Sequence, residues 1–210
     1  MARWEPNAPD RLVRAALALF VERGYDATTV AEIADRAGLT KSTFFRHFAD
    51  KREVLFGGQG EMADRVADAI RDAPPGTTVV GCLAVALDAV ADNFTEERRE
   101  LALQRRLVID AHSELQEREL LKAARVRTAV TQALRDRGAP DATARLATEM
   151  GLLALTASYH HWAEATDGRP YPEIAHAALR DLQERATELG AERVEAAASK
   201  TEPGPGEAER

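Results

Sequence analysis

Apolar residues recur every three or four positions over most of this 210-residue chain, the spacing that turns one face of an α-helix toward a core. Leu12, Ala16, Leu19 and Phe20 give such a stripe to a first helix, predicted from Pro9 to Arg23 and ended by Gly24. The next helix starts at Val30. Thr29 followed by Glu32 forms a capping box, and Val30, Ile33, Ala34 and Ala37 share one face. Gly38 supplies a residue able to turn left-handed and end that helix. Thr40 is the expected N-cap of a third helix, Lys41 to Phe48, on which Phe44 and Phe48 lie four residues apart and form one buried seam. Ser42, Phe45 and Arg46 point away from the seam, with Thr43 and His47 on its flank. A short helix with a two-residue anchor and a polar, basic outer surface is suited to insertion, and the major groove is the natural receptacle.

Asp50 and Glu53 are then expected to cap a long fourth helix reaching about Arg71, with Gly57, Gly58 and Gly60 weakening or bending it. The Ala73-Pro-Pro-Gly76 break opens a larger body with helices predicted at about 77–94, 96–112, 114–137, 140–166 and 172–190. Thr77 and Thr95 are its expected N-caps. The chain therefore reads as all-α, with about nine helices in three parts. Residues 1–56 form an arm and a helix-turn-helix domain, and 57–190 a helical ligand-binding and dimerisation domain. Residues 191–210, rich in Ala, Glu, Pro and Gly, form a disordered tail. Residues 1–8 read as a mobile arm, in which Trp4 is a surface residue or a small staple and Arg3 is able to reach DNA.

The run T-V-x-x-I-A-x-x-A-G-L at 29–39, then K-S-T-F-F-R-H-F at 41–48 and D-K-R-E-V-L-F at 50–56, resembles the helix-turn-helix of the TetR family of bacterial one-component regulators. The resemblance covers about fifty residues. It implies a homodimer that reads a double-stranded DNA operator and is released by a small-molecule effector. It also implies a role for Lys51 at the entry to the fourth helix, where family members use a lysine on a phosphate. Thr29, besides capping, offers its hydroxyl to the DNA backbone, and His47 contacts that backbone beside the aromatic. Phe45 departs from the pattern, because the family most often has tyrosine there; the ring still packs on sugar or a thymine methyl, without a hydroxyl for phosphate. Lys41, Ser42, Thr43 and Arg46 are the candidates for base reading. Arg46 matches the O6/N7 edge of guanine if it reaches the groove floor, and otherwise meets phosphate or solvent.

Charge at first argues against a nucleic-acid partner, since the net balance is −7. The acidity is unevenly placed: residues 1–60 carry +1 and residues 61–210 carry −8. From Arg36 to Arg52, Arg36, Lys41, Arg46, Lys51 and Arg52 meet one acidic residue, Asp50. Local charge governs phosphate binding, because salt screens beyond about 8–10 Å. The single Cys82 cannot form an internal disulfide and suggests a reducing, cytoplasmic compartment. No apolar run approaches the length of a membrane span, and no signal-peptide core stands at the N-terminus.

In the body, RREL and RRL at 98–107 and ELQERELLKAARVR at 114–127 resemble the C-terminal domain of mycofactocin-system regulators, which implies a fatty acyl-coenzyme A effector. Arg98, Arg99, Arg105 and Arg106 are then available for its phosphates, or pair with Glu96, Glu97 and Glu100 on a solvated face. Leu103, Met150, Tyr159 and Trp162 are candidate pocket walls, in helices whose alanines leave room for a cavity. Leu146, Met150 and Leu153, followed by Ala175, Ala178, Leu179, Leu182, Ala186 and Leu189, form stripes that the resemblance places in a dimeric four-helix bundle. His112, His160, His161 and His176 raise a metal reading, with Glu173-x-x-His176 as half of a di-iron motif whose second copy is missing. Adjacent histidines point about 100° apart on a helix, which suits no shared ion. No catalytic triad, phosphate loop or cofactor motif stands out, so neither catalysis nor a cofactor is expected. The rival reading is a helical-bundle enzyme or metal-binding protein with an incidental helix-turn-helix-like N-terminus.

Overall fold

A computed structural model of the chain describes residues 7–57 and 59–189. Arg3 and Trp4 of the expected arm, Gly58 and the expected tail lie outside these residues. All regular structure among them is helical. Helix α1 (Ala8–Arg23) begins earlier than expected, because Asn7 is its N-cap and accepts from the Asp10 amide at 3.1 Å. Helices α2 (Val30–Arg36) and α3 (Lys41–His47) follow, then α4 (Glu53–Phe56) and α5 (Gln59–Asp72). The body adds α6 (Val79–Asp88), a 3-10 turn at Ala91–Asn93, α7 (Glu96–Asp110), α8 (Ser113–Asp136), α9 (Asp141–Glu164) and α10 (Tyr171–Glu188). The ten α-helices described exceed the nine expected, because one long helix is two.

That division falls at Gly57. Its backbone is extended, with φ −54° and ψ 145°, so helical geometry stops there. A Cβ on Gly57 would stand 2.8 Å from the Phe48 ring, so the close approach of α4 to α3 needs glycine. Asp50 accepts from the Glu53 amide at 2.8 Å and starts α4 as expected. A second correction concerns α6. Thr78, not Thr77, is its N-cap and accepts from the Gly81 amide, while Thr77 donates to the Pro74 carbonyl. Thr95 holds the N-cap position of α7 without a side-chain hydrogen bond.

Two hydrophobic clusters result. One joins Leu12, Leu19, Phe20, Ile33, Phe44, Phe48 and Phe56 of the head, and it also takes in Val108, Ile109 and Leu115 from α7 and α8. The head is thus built onto the body through α7, which lies against α1. The second cluster packs α5 and α6 against α8, α9 and α10, with Ile70, Leu83, Leu134, Trp162 and Leu179 at its centre. At the end of α5, Arg137 donates to the carbonyls of Arg71, Ala73 and Pro74 at 2.6–2.9 Å and closes the helix terminus.

Candidate nucleic-acid interface and effector cavity

The helix-turn-helix is capped at its helix ends by short-range bonds. Thr29 and Glu32 complete both halves of the capping box: the Thr29 amide donates to Glu32 at 2.8 Å, and the Glu32 amide donates to Thr29 Oγ1 at 3.3 Å. The Thr29 hydroxyl first, and then the Thr29 amide, hold the Glu32 carboxyl below its ordinary range. Gly38 sits at φ 64°, where its amide bonds the Asp35 carbonyl and the Leu39 amide bonds the Ala34 carbonyl, a Schellman closure. Arg11 reaches from α1 to the Ala37 carbonyl and pins the turn. Thr40 then caps α3 by accepting from the Thr43 amide at 3.1 Å. Phe44 and Phe48 are buried with ring centroids 5.6 Å apart, so the anchor seam is in place.

What the seam leaves outside is the face expected to meet DNA. Lys41, Ser42, Phe45, Arg46 and His47 are exposed and Thr43 is half-buried, its hydroxyl 3.0 Å from that of Thr40. Phe45 is 49% exposed and stands edge-on to Phe44, with the Lys41 ammonium 5.8 Å from its ring centre. Among the described residues, neither Lys41 nor Arg46 has a carboxylate partner.

The rest of the basic strip is committed within the protein. Arg36 forms a two-pronged pair with Glu22 at 3.0 and 2.6 Å, and Arg52 pairs with Asp50 at 2.8 Å. Lys51 donates to the Tyr25 and Thr28 carbonyls at 2.6 and 3.0 Å and covers the Tyr25 ring at 4.1 Å. It ties the α1–α2 loop to the start of α4, a role its position in the sequence did not disclose. Thr29 likewise spends its hydroxyl on Glu32, at 2.8 Å. Of the five basic residues in the strip, Lys41 and Arg46 are therefore the two left open.

In the body, Trp162 is buried in an aromatic cluster rather than exposed to a pocket. Phe94 stacks on Tyr171 at 3.7 Å and meets Trp162 edge-on at 5.3 Å, while Arg99 covers the indole. Tyr159 donates to the Ala102 carbonyl at 3.0 Å, and Leu103 and Met150 pack on the core rim. An apolar cavity of about 30 Å³ does exist, between α5, α6, α8 and α9, with Val66, Leu83, Leu87, Val126, Leu152 and Leu155 in its wall. None of the four residues expected as pocket wall lines it. The arginines divide as well. Arg98 faces Asp10 at 3.6 Å, Arg99 pairs with Glu96, and Arg106 pairs with Glu164. Arg105 points inward, donating to the Leu55 carbonyl at 2.8 Å and to Glu119 at 2.6 Å. Beside it Arg118 pairs with Glu53, and both guanidiniums lie over the Phe56 ring. This joint between head and body spans fifty or more residues in sequence, so no local pattern marks it.

The histidines stand apart: His112 bonds the Val108 carbonyl, His161 meets Arg169, and His176 lies 2.9 Å from Asp88. Among the described residues, no three His, Cys, Asp or Glu side chains converge. No described helix is long and apolar enough to cross a membrane.

An all-helical chain with an anchored helix-turn-helix at one end and a bundle at the other defines the class. Residues 12–56 match the family described as bacterial regulatory proteins, tetR family. TcmR, an HTH-type transcriptional regulator of Streptomyces glaucescens, is 37% identical over 81 residues, 39% of this chain and 36% of that protein. The match thus spans about a third of the relative's length. Over nearly the full length the similarity is one of fold. The SmeT–triclosan complex superposes with a TM-score of 0.61 at 22% identity, over 95% of this chain and 99% of SmeT. The regulator FadR of Bacillus subtilis, solved with stearoyl-CoA, gives 0.58 at 18% identity, over 82% and 96%. Residues 12–56 are thus similar to the tetR family of bacterial regulatory proteins, and the helical body shares the fold of these solved structures.

Proposed function

We propose that this protein is a transcriptional regulator that binds a near-palindromic operator as a homodimer and lets go when a small molecule enters its body. The observation that carries the reading is α3: two buried phenylalanines anchor it, and its exposed face offers Lys41, Ser42, Phe45, Arg46 and His47, with neither Lys41 nor Arg46 paired to a carboxylate among the described residues. Arg46 is the base reader in this account, with Ser42 and Lys41 beside it and Thr43 held against Thr40. Thr29 and Lys51 position the head, and contact phosphate only by exchanging bonds they already make. A gel shift on the DNA upstream of its own gene tests the reading; unchanged migration at physiological salt would overturn it. The rival, an enzyme or metal-binding bundle, finds no support in the body's geometry or in the relatives.

Dimerisation rests on α9 and α10. Leu146 and Leu153 are 74% and 54% exposed and lie two turns apart on α9, with Met150 between them. On α10, Ala175 and Leu179 turn into the core instead, so the seam expected there narrows to Ala178, Leu182, Ala186 and Leu189. The effector reading rests on the apolar cavity and on the triclosan and stearoyl-CoA seen in SmeT and FadR. At about 30 Å³ the cavity holds no effector as it stands, since ligand sites run from roughly 300 Å³. Entry must part α5 from α8, and α5 leads to the head through Gly57. A hundredfold loss of operator affinity needs about 2.7 kcal/mol of difference in ligand affinity between the two states.

A further inference from the structure

Lys122 is the one lysine placed deep in the body, on α8 one turn before the cavity residue Val126. Its side chain is 21% exposed, and its ammonium is 3.9 Å from Glu119, outside hydrogen-bond range. Among the described residues it makes no hydrogen bond. Glu119 is instead taken by Arg105 at 2.6 Å. Tyr159, on α9 one turn beyond the cavity residue Leu155, faces the same Arg105. The cluster of Arg105, Glu119 and Lys122 therefore holds two positive charges against one negative, half out of water, with Lys122 one helical turn along α8 from a residue of the cavity wall. A buried ammonium without acceptors is costly. Burial first, and then the Arg105 charge, push the Lys122 amine down to about 8, against the pull of Glu119. A single additional anion would balance the site.

We propose that Lys122 and Arg105, with Tyr159, form the head-group subsite of the body cavity and take the carboxylate of an aliphatic acid, whose chain lies among Val66, Leu83, Leu87, Val126 and Leu155. This deepens the effector reading above and rests on it. A free carboxylate fits the site by charge count and by size, since one two-oxygen anion supplies the missing acceptors of Lys122. A thioester with its phosphates outside the body would leave the ammonium unmatched. The same anion draws on Arg105, whose Nε holds the Leu55 carbonyl just before the Gly57 break. Occupation of the subsite thereby loosens the bond that fixes the head.

The test is calorimetry on the full chain without DNA, using dodecanoate, dodecanol and dodecanoyl-coenzyme A. Dodecanoate should bind at least tenfold more tightly than either of the others. Lys122→Met should erase that advantage, leave dodecanol binding as it was, and raise the melting temperature, which excludes misfolding as the cause. Equal binding of acid and alcohol, tighter binding of the thioester, or an unaffected Lys122→Met variant would each overturn the proposal. A separate operator gel shift keeps the two readings distinct. DNA binding with no preference for the acid defeats the subsite alone, whereas acid binding without DNA binding defeats the regulator.

Discussion

The head and the body are held together in different ways. In the head, helix starts are closed by nearby side chains: Asn7, Thr29, Thr40 and Asp50 each accept an amide three residues on. In the body, Thr78 caps α6, whereas α7, α8, α9 and α10 have no side-chain cap. The head core is aromatic and tightly anchored by Phe20, Phe44, Phe48 and Phe56. The body interface is built from Ala63, Ala67, Ala86, Ala133, Ala144, Ala147 and Ala154, and it leaves a small apolar cavity. A locally specified unit keeps one shape, while alanine-lined helices slide and part at small cost per contact. The difference suits a rigid reader attached to a body that repacks.

The largest test of that contrast is Leu153→Glu. If α9 pairs with its twofold mate, each copy loses a leucine burial of about 1.5–3 kcal/mol and gains a charge in the seam. Light scattering should show monomer with helical content kept; an intact dimer would place the interface elsewhere. Leu153 is a cleaner probe than Leu182, which also packs on the core.

Phe44→Ala comes next. Truncating a fully buried phenylalanine costs about 3–5 kcal/mol. Hydrogen exchange should show protection lost across residues 8–56 while α9 and α10 keep theirs. Equal loss in both regions would mean that the shared packing through Val108 and Leu115 makes them one cooperative unit.

Lys122→Met sharpens the comparison from the body's side. The amine is about 8 in the folded protein, below its ordinary value. Between about pH 8 and pH 10 the unfolded chain binds the extra proton, so native stability rises with pH over that window. The destabilisation is full at neutral pH, with Arg105, Glu119 and Tyr159 facing the group. The variant should therefore be more stable by about 1–3 kcal/mol at pH 7 and show a smaller gain at pH 10. Urea midpoints at the two values decide it, and a loss of stability at pH 7 would contradict it.

The head was legible because its determinants are near neighbours in sequence: the Thr29–Glu32 box, Gly38, the Thr40 cap and the Phe44–Phe48 seam each join residues no more than four positions apart. What escaped there was long-range. The carbonyls of Tyr25 and Thr28 occupy Lys51 from more than twenty residues away, and Glu22 occupies Arg36. Helix existence in the body was also readable, from periodicity alone. Which face turned inward was not, as Ala175 and Leu179 illustrate, because an alanine-rich helix has weak amphipathic contrast. The cavity wall depends on four helices meeting and left no trace in any one of them.

A smaller effect concerns the exposed ring. If Phe45 lies against the DNA backbone, Phe45→Tyr adds a donor to a phosphate and should tighten operator binding by about 1 kcal/mol after desolvation. Unchanged affinity would place the ring on sugar or on a thymine methyl instead.

The central claim is that α3 reads sequence, with Arg46 as its principal reader. Fluorescence anisotropy of the full chain, wild type and Arg46→Ala, should be measured on its upstream operator and on single-base variants of each half-site. Arg46→Ala should lose about 1–3 kcal/mol per half-site, with preference relaxed at one base position. Arg46→Ala with the parent's affinity and the parent's base preference would contradict it.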